Sequence, residues 1–393
     1  MNVSDKDSRV RGTAVGHPHK REIDLLLALS DPWMTEEGAE ETRETLRTCT
    51  SSVDWAWLVD QGARHRVLPL IGSNVKRYRL NRTADGTAEI IPNHWLFTTV
   101  FEGNRRRNES LRTEFALILE RLNATDIPYA VRKGPLLCER LFPDPGMRRT
   151  NDFDLLVKES DASAVASLLH GLGYEQGALA ADGRVQPFER STQAFWRLHV
   201  NNALPFMKAT TEPGVEVFIV DLCLSVLPGR AQRTSGSQEF LDRSVPVVTC
   251  GVDSRSLSQA DELLDLCQHL YKEADTGFYI SIGRDIALSK FIDVVSAVKN
   301  ADDGILETFV ERAHHYGVAR NVYFAIVHAA EFYPGSIPGW VEERLRPGDG
   351  LAYIDEYGHL EGNVRNWQST FMERAFDTRR IALMEGGSSA PLH

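Results

Sequence analysis

Two aspartates one residue apart, Asp152 and Asp154, sit in the segment RRTNDFDLLVK (148–158), just ahead of Leu155, Leu156 and Val157. In an extended strand, residues i and i+2 project from the same face. The two carboxylates therefore stand together, about 6 to 7 Å apart along the backbone, while Phe153 and Leu155 point the other way. Two like charges so placed repel unless a cation neutralises them or one keeps its proton. A divalent cation is the natural partner. Mg²⁺ prefers oxygen ligands and keeps several waters, so a few carboxylates suffice when substrate phosphates complete its shell. The same pattern also fits a strand that simply begins in solvent.

A third carboxylate comes from VEVFIVDLCLSV (215–226). Asp221 shares a strand face with Val215, Val217 and Ile219; Glu216 falls on the opposite face. An ionised group deep in so apolar a run costs several kcal/mol unless something compensates it. On that ground Asp221 is the one expected to join Asp152 and Asp154.

The elements that must position these groups follow from periodicity. REIDLLLALSDPW, residues 55–80 and residues 104–128 read as helices; in the last, Leu111, Phe115, Ile118, Leu119 and Leu122 recur at helical spacing. IPYAVRK (127–133) reads as a strand running into Gly134-Pro135, LLCERLF as a short helix, PDPG (143–146) as a turn and DFDLLVK (152–158) as a second strand. Residues 160–174 read as a helix with Ser160 as N-cap, STQAFWRLHV (191–200) and residues 215–226 as strands, and GRAQRTSGSQ (229–238) as a loop. The helical pattern then returns, in SLSQADELLDLCQHLYKEA with Ser258 as cap, in residues 284–301, and onward to about residue 382. The expected organisation is a tail over 1–18, a helical region over 19–125, a sheet-bearing core over 126–252, a helical domain over 253–382 and a tail over 383–393. The fold class is α+β, with a small mixed sheet.

Composition narrows the function. The chain has 393 residues, 42% hydrophobic and 25% charged, as in an ordinary globular protein. Its net charge of -11 argues against a long nucleic acid or an anionic membrane as partner. The cysteines (49, 138, 223, 250, 267) show no C-x-x-C spacing, which speaks against a zinc ribbon or thioredoxin-like site. The polar opening segment has no apolar signal-peptide core and no run approaches the length of a membrane span, so a cytoplasmic location is expected.

The segment RKGPLLCERLFPDPGMRRTNDFDLLVK (132–158) resembles the uncharacterised nucleotidyltransferase family of the DNA polymerase β-like superfamily: lysine-glycine after a strand, a helix, an aromatic-proline turn, an arginine, then D-h-D-h-h-h. WAWLVDQGARHRVLPLI, ELLDLCQHLYKEA and LSKFIDVV resemble its outer helices, and the likeness spans roughly residues 50 to 300. It implies a twisted, mostly antiparallel sheet with flanking helices. It also implies transfer of a nucleoside monophosphate from an NTP with Mg²⁺, or Mn²⁺ in its place. Asp152 and Asp154 match the paired metal ligands, and Asp221 matches the third acidic position, which in the family precedes L-H-W. This chain has DLCLS there, so Cys223 replaces the histidine and Leu224 the tryptophan; Glu216 is the fallback. Pro135 follows Gly134 where the superfamily has a second Gly or Ser, which removes one amide donor.

Around this core, Lys133 is a candidate for triphosphate or acceptor, or a solvated strand end. Arg148 or Arg149 is a candidate phosphate clamp. Lys272 and Lys290, on helices that in the superfamily close over the nucleotide, are candidate triphosphate cations or solvated helix faces. His199 and Asn201 share a strand face near Asn202 and are expected to be structural. NRRRNES (104–110) reads as a charged surface, and Trp55, Trp57 and Trp95 as core. The expected reaction is in-line displacement at a metal pair held by Asp152, Asp154 and Asp221, with a small hydroxylated molecule or a peptide or protein side chain as acceptor. The alternatives are a non-catalytic binding or scaffold protein of the same fold, and a metal-dependent phosphohydrolase.

Overall fold

The computed structural model describes residues 17–190, 192–193, 202–227, 233–377 and 379. It divides into two compact units, one formed by Glu102–Asp265 and the other by the chain up to Phe101 together with Leu266 onward.

The Glu102–Asp265 unit is built on a mixed sheet with, among the described residues, eight strands: β1 Tyr129–Arg132, β2 Phe153–Val157, β3 Glu175–Leu179, β4 Val185–Pro187, β5 Phe206–Ala209, β6 Val217–Cys223, β7 Val245–Thr249 and β8 Val252–Ser256. Their order is β4-β3-β5-β6-β2-β1-β8-β7. Only β2 with β6 and β1 with β8 run parallel; the other neighbours are antiparallel. The α+β class and the mostly antiparallel pairing hold, but the sheet is larger than the four strands legible in the sequence.

Alternation along the central strands sorts one face from the other. Phe153, Leu155 and Val157 of β2, Tyr129 and Val131 of β1, and Phe218, Val220 and Leu222 of β6 enter one apolar cluster. Leu111, Phe115, Ile118, Leu119 and Leu122 of the long helix Trp95–Asn123 join them, as do Val165 and Leu169 of the helix Ala162–Gly171. Phe115 stacks on Phe153 with ring centroids 4.6 Å apart. This face is dry, so Asp154 and Asp221, at the alternate positions, are turned to the other face.

Two readings of the sequence are corrected here. Residues 233–242 form a helix rather than continuing the loop begun at 229. Trp55 and Trp57 are half-buried and Trp95 is 57% exposed, so none is a core residue. The strand expected over 191–200 falls almost wholly outside the described residues. The β7–β8 hairpin was not legible: β7 carries Pro246 and exposed valines, and the buried positions of β8 are Ser254 and Ser256. Its two-residue turn places both Cys250 (φ 55°) and Gly251 (φ 79°) in the left-handed region, the conformation such tight hairpins require.

Among the described residues the second unit is helical apart from the small pairing of Glu356–Tyr357 with Arg365–Asn366 and an isolated bridge between Arg82 and Glu89. The segment 55–80 breaks into Trp55–Arg64 and Leu68–Tyr78, with Arg66 at φ 60° and Pro69 opening the second helix. His65, fully buried at the break, ties the early helices to the late ones. Its Nδ1 accepts from the Leu288 amide at 3.1 Å and its carbonyl accepts from the Ser289 amide at 3.2 Å. Among the described residues no helix is long and apolar enough to cross a membrane.

This unit also buries a titratable pair. His328 Nδ1 lies 3.0 Å from Glu331 Oε2. Burial holds the His328 imidazolium well below its usual range, with Arg374 adding to the effect. Burial pushes the Glu331 carboxyl from 4.5 up to about 8, against the pull of Arg374. A carboxyl whose folded pKa is raised makes the folded state hold the extra proton, so stability falls as pH rises from about 4.5 to about 8. Glu331→Gln removes that loss. Its melting temperature is expected to exceed wild type by a margin that grows between pH 5 and pH 8.5; a margin independent of pH in parallel thermal melts counts against this assignment.

Candidate active site

The site grows from the register of three strands. In β1, β2 and β6, Arg132 pairs with Asp154 across the antiparallel ladder and Asp154 pairs with Asp221 across the parallel one. Adjacent strands lie about 4.8 Å apart, so these three side chains rise side by side from the face opposite the apolar cluster. Asp152, one residue before β2, shares the parity of Asp154 and is half-buried. The register puts Asp154 and Asp221 on one face, as the strand alternation predicts, while Asp152 lies in the segment leading into the strand. The premise for Asp221 differs: its face of β6 is half-exposed, and the buried face belongs to Phe218, Val220 and Leu222. Glu216 lies just outside β6 and is exposed.

Asp154 is the most enclosed of the group, 7% exposed. Lys133 Nζ sits 3.9 Å from its Oδ2, and the Cys223 thiol donates to its Oδ1 at 3.5 Å. Burial raises the Cys223 thiol, with Asp154 and Asp221 adding to the shift against Arg132 and Lys133, which keeps it protonated as a donor. Next to this pair, Arg132 makes a bidentate ion pair with Asp265, both fully buried. Burial alone would lower Lys133, but Asp154 and Asp265 hold its ammonium above the ordinary lysine value. Burial would likewise raise Asp265, and Arg132 with Lys133 holds it below the usual carboxylate range. Two cations and two carboxylates thus form one neutral, desolvated network.

The backbone that delivers Lys133 is strained. Lys133 has φ 43° and ψ -136°, a region a side-chain-bearing residue rarely occupies, and Gly134 follows at φ 48°. The turn is sharp because the helix Gly134–Leu141 starts at once. Lys133 provides no side-chain cap to that start, and Pro135 contributes no N–H. A Cβ on Gly134 would meet the Asp152 carbonyl oxygen at 2.8 Å, so only glycine lets the helix start approach the aspartate segment this closely.

The two arginines diverge. Arg148 is half-buried and donates to the Gly134 carbonyl at 3.3 Å, while its own carbonyl accepts from Asn104 and Asn108. Arg149 is exposed. Lys272 is exposed on the helix Gln259–Asp275, and Lys290 is ion-paired with Glu273, which also lies 3.1 Å from His269. Both lysines belong to the helical unit, whereas the aspartates and Lys133 belong to the sheet unit. His199 and Asn201 lie outside the described residues; Asn202 bridges to Cys223 on β6.

Sequence reasoning missed one set of residues. Within NRRRNES, read as a charged surface, Asn104, Arg107 and Asn108 are buried and hold the segment that leads into Asp152. Their spacing of i, i+3 and i+4 continues the apolar stripe that starts at Leu111, and that continuity was the available signal.

Among the described residues no three His, Cys, Asp or Glu side chains converge as a ready-made metal cage. Asp154 faces Lys133 and Cys223. Paired carboxylate oxygens on one polar face fit a Mg²⁺-type ion that takes one or two carboxylates and completes its shell with water and phosphate.

The chain matches the family described as Uncharacterised nucleotidyltransferase over residues 51–334. It belongs to that family. No curated protein matches it. Among solved structures, an antigenic nucleotidyltransferase-like protein from Paracoccidioides brasiliensis is 14% identical, with 54% of this chain and 91% of that chain covered at a TM-score of 0.30. This family member keeps the D-h-D pair and carries Cys223 where the family's histidine was expected.

The helix-start geometry yields a stability prediction. Gly134→Ala meets both the positive φ and the Asp152 carbonyl and is expected to cost roughly 1–3 kcal/mol. Gly251→Ala, at φ 79° with open space around it, should cost less, about 1 kcal/mol. Urea unfolding of the two variants reads the difference; equal losses would mean the close approach at Gly134 is absent in solution.

Proposed function

We propose that this protein transfers a nucleoside monophosphate from an NTP to a hydroxyl-bearing acceptor, with Mg²⁺ or Mn²⁺ held by Asp154 and Asp221 and assisted by Asp152. The observation that carries the reading is the register: Asp154 and Asp221 are partners on adjacent parallel strands, and Asp152 lies two residues before Asp154 where the chain enters β2. When bound, such an ion would offset charge on the transferring phosphate and polarise the oxygens it contacts.

The protein's own residues supply the rest. The uncapped start of the Gly134–Leu141 helix presents the positive end of its dipole beside Asp152, a setting suited to phosphate. Lys133 balances Asp154 in the absence of substrate and is placed to turn its ammonium to a phosphate oxygen. Asp221, half-exposed at the open side of the strand pair, is the carboxylate accessible to an acceptor hydroxyl and can take its proton. Arg149, exposed next to the aspartate segment, adds a second cation for the triphosphate. The net charge of -11 disfavours a polyanionic acceptor, so a small hydroxylated molecule or a peptide or protein side chain is the acceptor class.

A second reading, a protein that binds nucleotide without turning it over, draws on one observation: the Asp154 carboxylate is already engaged by Lys133 and Cys223. Incubation with radiolabelled NTPs, Mg²⁺ and a panel of hydroxylated acceptors separates the outcomes as labelled conjugate, free NMP, or binding alone.

Activity should fall by about 100-fold or more in Asp154→Asn and Asp221→Asn. Their stabilities should differ. Asp154→Asn leaves the buried Lys133 without its carboxylate and is expected to lower the melting temperature. Asp221→Asn, half-exposed and beside a like charge, should leave it unchanged or slightly raised. Near-normal turnover by Asp154→Asn at saturating Mg²⁺ would sink the metal-ligand assignment.

A further inference from the structure

Asn104, Arg107, Asn108 and Leu111 lie on one face of the Trp95–Asn123 helix, at i, i+3, i+4 and i+7. The three polar residues are 4%, 8% and 3% exposed, more deeply buried than solvated side chains on a helix surface. Asn104 donates to the carbonyls of Gly146 at 2.7 Å and Arg148 at 3.2 Å. Asn108 donates to those of Pro145 at 2.7 Å and Arg148 at 2.8 Å. Arg107 donates to the Thr150 carbonyl and, at 3.1 Å, to Asn151 Oδ1. One helix face therefore clamps the loop from Pro145 to Asn151, and the residue at its end leads into Asp152.

The two asparagines give their amide N–H groups to neutral carbonyls, as neutral donors can at no charge cost. Arg107 is different. Its two partners are also neutral oxygens, which a glutamine could serve without bringing a full charge out of water. Burial lowers its pKa to about 10, Arg149 adds to that effect, and Asp152 and Glu216 oppose it. The guanidinium spans the two residues that separate Arg149 from Asp152. Its fixed fork holds the carbonyl of one and the side chain of the other, between the exposed Arg149 and the half-buried Asp152. Two like charges held at one corner are stabilised when an anion lies between or beside them.

Building on the function proposed above, we propose that Arg107 is a positioning residue of the nucleotide site: its guanidinium, held on Thr150 and Asn151, fixes the corner at which Asp152 and Arg149 receive the metal-bound triphosphate. The probe that tests this is Mn²⁺ with inorganic tripolyphosphate, which carries the triphosphate chemistry and no base, followed by Mn²⁺ paramagnetic resonance on the full chain. Arg107→Gln should weaken binding tenfold or more, and Arg107→Lys, which keeps the charge without the fork, should recover part of that loss. Asn104→Ala, at the neutral end of the same clamp, should lower the melting temperature while leaving the affinity within about twofold of wild type. Asn151→Ala alters only a half-buried acceptor, leaves Arg107 in place, and should weaken binding severalfold even if the Arg107 variants fail to fold. Wild-type affinity in Asn151→Ala, or matched losses in Arg107→Gln and Asn104→Ala, overturns the positioning role. Equal binding by wild type and Asp154→Asn would instead overturn the site itself, so the two failures are told apart.

Discussion

Four charges removed from water together constrain the sheet unit: Arg132 with Asp265, and Lys133 with Asp154. None of them is tolerable alone at this depth, because an unpaired buried ion costs several kcal/mol. Their pairing requires β1 to end where it does, β2 to enter in register beside it, and the first half of the Gln259–Asp275 helix to deliver Asp265. The strained backbone at Lys133 follows from the same demand. The chain must turn sharply enough to bring the ammonium back over Asp154 and start a helix in the next residue, and Gly134 makes that possible.

The network also separates the three aspartates by environment. Asp154 is neutralised within the fold by Lys133 and a protonated Cys223, while Asp221 beside it remains half-exposed. Asp152 sits at the mouth, where the loop held by Asn104, Arg107 and Asn108 arrives. A polar face so arranged is pre-organised on the rigid strands of a sheet whose other face is one dry cluster, and such rigidity is what positioning-based phosphoryl chemistry relies on. Membership of the uncharacterised nucleotidyltransferase family is consistent with a sheet that has one apolar and one polar face.

The helical unit answers to different constraints. Its two stretches of sequence are joined by His65 and by the Arg64 guanidinium, which donates to the Ala375 carbonyl, and its core buries His328 and Glu331 in forms that burial keeps uncharged near neutrality. Lys290 is committed to Glu273 within this unit, so its charge is compensated locally.

Local sequence determined the elements that have strong periodicity and the parity of the carboxylates. The runs YAVR, FDLLV and VFIVDLC are apolar enough to read as strands, and a period of two turns Asp154 and Asp221 away from the apolar face of their own strands. The stripe from Leu111 to Leu122 likewise makes a helix by itself. Tertiary structure decided what local pattern does not encode. Strands β3, β4, β5, β7 and β8 are short, polar or at the edge, and they exist because neighbouring strands supply their hydrogen bonds. The run NRRRNES looks solvated because its residues are polar; only the packing of the 145–151 loop against it shows that three of them are buried donors. Whether a lysine ends a strand in water or faces an aspartate depends on the ladder that brings β1 to β2, since a charge is compensated by residues distant in sequence and never by its own spacing.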